Sequence, residues 1–324
     1  MNLPIWLETE SGRLGALLDR GQLPHALLIH GSAGVGRRLL AFRLRDRLLD
    51  SAATSPDSSL LCTGRIDEEA LVRHPDFRLL QPIEDKKTIG VDQVRELIGF
   101  LSLTSHQHGA KVVIIFPAQA MNKEAANCLL KTLEEPAANS YLILVAEAPS
   151  RLPPTIVSRC HRVRIPLPDA QQARSWLHDI DPGVDWPHML ELCGGAPLTA
   201  LGWRQIGFPQ LSRDLEQDLL LLRKRADTPA GVARRWAKKE PESCLRWLFN
   251  RLGAELRSQL EQQGNESVVK PDNRHLQKST EMLNMEPSFA VLRQISELRR
   301  LHGSGLNAEL QLANVLALWY GKAG

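Results

Sequence analysis

The stretch Gly31-Ser32-Ala33-Gly34-Val35-Gly36-Arg37-Arg38 is the first place where residue type and spacing suggest chemistry. It follows the apolar run His25-Ala26-Leu27-Leu28-Ile29-His30 and opens an amphipathic segment from about Val35 to Leu49. A glycine loop between a strand and a helix is the setting of a phosphate loop, whose backbone N–H groups and helix N-terminus cradle a polyphosphate. The complete motif ends in Gly-Lys-Ser/Thr: the lysine reaches the phosphates and the hydroxyl ligates Mg²⁺. Here Gly31 and Gly36 hold the glycine positions, Gly34 adds a third, Arg37 replaces the lysine and Arg38 replaces the hydroxyl. Arg37 keeps a positive charge on a planar fork that does not substitute neatly for a point charge. Arg38 is a donor only, and a guanidinium cannot ligate a cation.

The second magnesium contact fails as well. Val112-Val113-Ile114-Ile115-Phe116 is an apolar, mostly β-branched run that suits a strand buried on both faces. In an ATP-hydrolysing phosphate-loop protein an aspartate follows such a strand. Here the next residue is Pro117, which offers no side-chain oxygen. The loop is therefore expected to keep its backbone shape and to bind no productive Mg-ATP, with no cofactor and no metal. The competing reading is an autonomous ATPase that uses Arg37 unconventionally. Glu134-Glu135 are adjacent, so on a helix they point about 100° apart and read as surface and capping residues rather than paired catalytic acids. His30 reads as a strand-end histidine. The five cysteines, at 62, 128, 160, 193 and 244, include no CxxC pair, which argues against a disulfide framework and a zinc site and for a reducing cytoplasm.

Four strands are expected: His25–His30, Phe77–Pro82, Val112–Phe116 and Tyr141–Val145. Helices fall between them. Val91–Leu103 has apolar residues at 91, 94, 97, 98 and 101, and Asn122–Glu135 stops before Pro136. Residues 50–60 read as loop. Alternating strands and helices predict a parallel sheet covered on both faces. After Ile165-Pro166-Leu167-Pro168 no convincing strand follows. Short helices at Gln171–Leu177 and Trp186–Leu192 are broken by Gly194-Gly195 and Pro197. From about Gly207 the chain reads as helical, with core stripes Leu215/Leu219/Leu222, Leu245/Leu248/Leu252/Leu256 and Leu306/Leu310/Ala313/Leu316 with Trp319 or Tyr320, and a loop at Gly264-Asn265-Glu266-Ser267. The seven tryptophans fit helical cores. The layout is an α/β domain over 1–166, a small helical domain over 167–206 and a helical bundle over 207–324.

Composition sets the outer bounds. Of 324 residues, 43% are hydrophobic and 24% charged, which excludes disordered, collagen-like and coiled-coil chains. No window approaches the roughly 18 apolar residues of a membrane span, and the N-terminus does not read as a signal peptide. A net charge of +3 is too small to diagnose nucleic-acid binding. The excess falls in the last third, where a solvated helical surface explains it more simply than DNA contact does.

Longer motifs carry a family resemblance. Asn127-Cys128-Leu129-Leu130-Lys131-Thr132-Leu133-Glu134-Glu135-Pro136 resembles the helix after the central strand in bacterial clamp-loader subunits of the AAA+ class, and Ser158-Arg159-Cys160 resembles their Ser-Arg-Cys motif. Pro24–Leu28, His74-Pro75-Asp76 and Val91–Leu97 fit the same family, so the likeness covers about residues 1–200. That family holds active ATPases of gamma/tau type and a non-catalytic kind. Arg37, Arg38 and Pro117 resemble the latter, as does Leu198, at the position where gamma/tau-like proteins carry a sensor arginine.

The resemblance implies an AAA+ domain with a degenerate phosphate loop, a small helical lid and a C-terminal α-helical collar. It implies that Arg159, with Ser158 and Cys160 as motif neighbours, is an arginine finger acting in trans. By charge alone Arg159 is only one surface arginine near Arg151, Arg162 and Arg164, and Cys160 is most simply a small buried hydrophobe. The implied partners are gamma/tau and delta subunits in a hetero-oligomeric ring within a replicative polymerase holoenzyme. The ring loads a sliding clamp onto primed DNA, and this chain would touch clamp and primer-template only lightly, in the cytoplasm and away from membranes. The family's frequent four-cysteine zinc module is reduced to Cys62 and is expected to be replaced by a short helix at Arg65–Val72. A third reading is a DNA-binding scaffold on a decayed AAA+ fold.

Overall fold

The computed structural model describes residues 3–49, 74–83, 88–103, 109–205, 207–239, 241–266, 286–301 and 307–323. Cys62, the Arg65–Val72 segment, the loop expected at 50–60, Leu306 and Ser267 lie outside the described residues. Contacts divide the chain into two compact units, one of residues 1–186 with 195–202 and one of residues 187–194 with 203–324.

The first unit is built on α1 (Ile5–Asp19), β1 (Ala26–His30), α2 (Arg37–Leu48), β2 (Phe77–Leu80), α3 (Val91–Ser102), β3 (Lys111–Ile115), α4 (Lys123–Glu134), β4 (Ser140–Ala146), α5 (Pro154–Val157), β5 (His161–Arg164) and α6 (Ala170–Ile180). The five strands form a parallel sheet in the order β2-β3-β4-β1-β5. Leu28 pairs with Leu144 on one side and with Arg162 on the other. Side chains alternate across each strand, so the inner strands feed two cores. Leu27, Ile29, Ile143, Val145 and Val163 pack with Leu7, Leu14, Leu40 and Phe42 of α1 and α2. Leu28, Leu142, Leu144, Val113 and Ile115 pack with Val94, Leu97, Leu129 and Leu133 of α3 and α4. Each such side chain contributes about 1.5–3 kcal/mol by burial.

Local signals set the helix that matters most for the site. The Asn122 side chain accepts the Ala125 N–H at 2.8 Å and starts α4, where Glu124 complements the positive end of the helix. Pro136 forbids its continuation. Elsewhere the sequence pattern misled. The fifth strand, β5, has a burial pattern with only Val163 inside, because it lies at the sheet edge and carries His161, Arg162 and Arg164 outward. Three outward basic residues hide the apolar alternation, so this strand was not expected.

The second unit contains α7 (Trp186–Leu192), α9 (Phe208–Arg223), α10 (Pro229–Ala237), α11 (Pro241–Glu266), α12 (Glu286–Leu301) and α13 (Ala308–Ala323). Between the two units' boundaries runs α8 (Pro197–Gln205). The expected stripes of α9 and α11 are buried, from Leu215, Leu219 and Leu222 to Leu245, Leu248, Leu252 and Leu256. Two expectations are corrected. Gly264, Asn265 and Glu266 belong to α11 rather than to a loop, since one isolated glycine costs a helix only about 1 kcal/mol. In α13 the buried row is Leu312, Val315, Leu316 and Trp319, while Leu310 is 62% exposed. That helix is apolar on several sides, so periodicity alone did not fix its inward face.

A polar cluster pins this bundle. Asp218 accepts from Arg235 Nη2 at 2.6 Å and from the Trp236 indole N–H at 3.0 Å, while Asp227 pairs with Arg235 at 2.7 Å. Trp236 and Trp247 meet edge to face, and Trp247 donates to Ser212 Oγ at 2.9 Å. The Trp236 side chain is fully buried, so its N–H has no access to water if Asp218 is removed. Asp218→Ala is expected to cost about 2–4 kcal/mol of stability, read as a fall in the urea midpoint at unchanged slope. A loss under about 0.5 kcal/mol, the scale of a neutral surface change, would contradict this account of the cluster.

Candidate functional site

The glycine loop keeps the form of a phosphate cradle. Gly34 sits at φ +78°, and a Cβ there would lie 2.1 Å from Thr199 Oγ1 and 2.8 Å from the Thr199 backbone nitrogen. Gly36, at φ +100°, caps α2, and a Cβ would come within 2.6 Å of Leu7. Only glycine meets both demands at once. The loop is latched by its own chain: the Gly34 carbonyl accepts the Leu198 N–H at 3.0 Å, and the Val35 carbonyl accepts the Trp6 indole N–H at 2.9 Å. Leu198 is itself buried and brings no charge.

The two arginines at the head of α2 are both buried. Arg37 is 8% exposed, and its Nη1 has no hydrogen-bond partner. Burial lowers its affinity for a proton, and the Glu147 carboxylate opposes that effect. Arg38 places its guanidinium over the Phe116 ring, 4.7 Å from the centroid. Phe116 directly precedes Pro117, so the side chain at the lost hydroxyl position reaches the strand end where the acid is also lost. The structure thus brings Arg38 to the end of β3 at Phe116 and Pro117 through a cation-π contact. Among the described residues no group of three or more His, Cys, Asp or Glu side chains could hold a metal ion.

His30 ends β1 within a basic neighbourhood that the sequence reading did not recognise. Burial first, then the charges of Arg164, Arg162 and Arg37, hold its pKa below the ordinary value. The β1–β5 register places His30 opposite Arg164.

Ser158, Arg159 and Cys160 form the turn between α5 and β5. Cys160 is buried against the α3/α4 core, and burial pushes its thiol pKa up to about 12, which leaves it inert as a nucleophile. Ser158 Oγ donates to the Thr155 carbonyl at 3.1 Å. Arg159 Nε donates to Glu134 Oε1 at 2.7 Å, its Nη2 bonds the same oxygen, and its Nη1 donates to the Thr155 carbonyl at 3.1 Å. Glu134 is the site residue that sequence reasoning left as surface; 25 positions separate the pair, and no periodicity links them. Because β5 runs parallel to β1, with Leu27 opposite His161, Arg159 lies at the N-terminal edge of the sheet. The glycine loop follows the C-terminal end of β1, on the order of 15–20 Å away along the strand direction. Arg159 therefore does not serve its own loop.

The family model described as DNA polymerase III, delta subunit, matches residues 8–169. A DNA polymerase III subunit delta' from Pseudomonas aeruginosa is 37% identical over 234 residues, covering 71% of this chain and 70% of its own. The subunit delta' of Haemophilus influenzae is 29% identical over 318 residues, covering 96% and 95%. A subunit tau from Salmonella typhimurium is 30% identical over 165 residues, half of this chain and 25% of that protein. A parallel α/β sheet matched by such relatives is that of a clamp-loader subunit. Within that class, the chain belongs to the delta' subunit family of DNA polymerase III.

Two outcomes follow. The double variant Arg37→Lys/Arg38→Thr should remain without measurable phosphate release from Mg-ATP, because Pro117 still supplies no metal ligand; turnover would show that the strand end is not limiting. His30 has a folded-state pKa below its unfolded value, so its contribution to stability is complete above about pH 6.5 and declines as pH falls below it. His30→Gln should flatten the pH dependence of chemical denaturation between about pH 5 and 6.5, and an unchanged slope would contradict the assignment.

Proposed function

We propose that this chain is the non-hydrolysing member of a clamp-loader ring and that Arg159 is donated to the ATP held by an adjacent subunit of gamma/tau type. The observation that carries the reading is the position of Arg159: it lies at the sheet edge remote from its own loop, on a turn where its side chain stays 35% exposed. The loop in turn has Arg38 stacked on Phe116 in place of metal ligands.

In phosphoryl transfer, negative charge spreads over the γ-phosphate oxygens, and a guanidinium fork supplied from a second chain stabilises it. Such a finger is worth about 10³–10⁵ in rate at the site that receives it. Because the finger comes from a neighbour, hydrolysis is tied to correct assembly. Division of labour along the chain follows: 1–166 as the α/β body, 167–206 as a lid, and 207–324 as a collar that holds the ring together. The partners are gamma/tau and delta subunits, with light contact to the sliding clamp and primer-template DNA. The setting is the cytoplasm; no helix among the described residues is long and apolar enough to cross a membrane.

The test is reconstitution with gamma/tau and delta subunits. Arg159→Ala should leave ring assembly intact by size exclusion and silence the one ATPase site that faces this chain, so that total DNA-stimulated hydrolysis falls by that site's share. Unchanged hydrolysis in a fully assembled ring would remove the finger role.

A further inference from the structure

Arg159 is not held loosely in solvent. Its Nε and Nη2 both bond Glu134 Oε1, and its Nη1 bonds the Thr155 carbonyl, with Ser158 Oγ at 3.4 Å. Thr155, in α5, and Ser158 lie within four residues of Arg159 along the chain. Glu134 is different: it ends α4, a helix anchored in the core through Leu129 and Leu133. It is the partner that ties the guanidinium to the body of the domain.

A second feature shows that Glu134 is not placed there for its helix. The last turn of a helix carries partial negative charge and favours cations. A carboxylate at the final residue of α4 is unfavourable for the helix taken alone, and the Arg159 guanidinium offsets both the carboxylate and the helix end. The pair is also exchangeable. The two side chains are 35% and 50% exposed, and an ion pair so open to water is weak. An incoming phosphate, which carries more charge than a carboxylate, can displace it.

We infer that Glu134 is a positioning residue for Arg159: its carboxylate occupies the guanidinium as a placeholder that a phosphate of the neighbouring nucleotide must displace. This rests on the finger role proposed above. Delivery of the finger then depends on the charge that the neighbour presents. A triphosphate competes successfully with Glu134, and a site without a γ-phosphate returns the guanidinium to its resting partner. Removing the carboxylate charge makes delivery easier.

The experiment uses the reconstituted ring with four forms of this chain: unaltered, Glu134→Gln, Arg159→Ala and the combined variant. DNA-stimulated ATP hydrolysis is measured over a range of ATP concentrations. Glu134→Gln is expected to raise kcat/KM by about two- to five-fold, mainly through KM, when Arg159 is present. It should change nothing when Arg159 is alanine, because the two residues act as one unit. Glu134→Ala should act in the same direction, which guards against a hydrogen bond retained by the amide. Equal effects of Glu134→Gln in both backgrounds would mark a structural role and overturn the inference, as would unchanged or lower kcat/KM with Arg159 in place. If Arg159→Ala alone lowers hydrolysis while both Glu134 variants are silent, the placeholder falls and the finger stands. If Arg159→Ala has no effect, both fall.

Discussion

A guanidinium stacked on an aromatic ring governs this molecule. Arg38 stands at the second position of α2, over Phe116, at the end of the strand where an ATP-hydrolysing relative of this architecture would gather oxygen ligands around magnesium. A cation fixed there repels a second cation, and Pro117 adds no oxygen to compensate. With that contact in place, the glycine loop can persist as a structural turn.

The loop persists because the fold has made it part of the core. Trp6 and Leu198 take its carbonyls as hydrogen-bond acceptors, and Thr199 and Leu7 fill the space that side chains at Gly34 and Gly36 would need. Buried charge recurs behind it. Arg45 packs its guanidinium against the rings of both Phe42 and Phe77 and pairs with Asp46. Such pairs are weak evidence for added stability, yet breaking one leaves an uncompensated charge inside the protein. The glycine loop is thus held in place by packing and hydrogen bonds from its own chain.

Much of this was legible in the sequence, for definite reasons. The strands at 26–30, 111–115 and 140–146 are buried on both faces, so uninterrupted apolar runs announced them. The edge strand at 161–164 was not legible, because solvent on its open side admits three basic residues. Nor was the inward face of α13, where apolar residues occur on several sides. The Arg38–Phe116 stack and the Arg159–Glu134 pair joined residues from separate elements, and only the fold brought them together. For the second pair, the physics of a helix end would have supplied a hint: a carboxylate at a negative terminus calls for a cation nearby.

The two arginines divide the molecule's function between them. Arg38 stacks on Phe116 beside the glycine loop, and Arg159 lies at the opposite edge of the same sheet, where the proposed role would offer it to a neighbour. The account's central claim is that the chain does not bind nucleotide productively by itself. Calorimetric titration of the isolated chain with ATP, in the presence and absence of magnesium, tests it most directly. The account predicts no magnesium-dependent heat of binding; saturable binding that tightens when magnesium is added would contradict it.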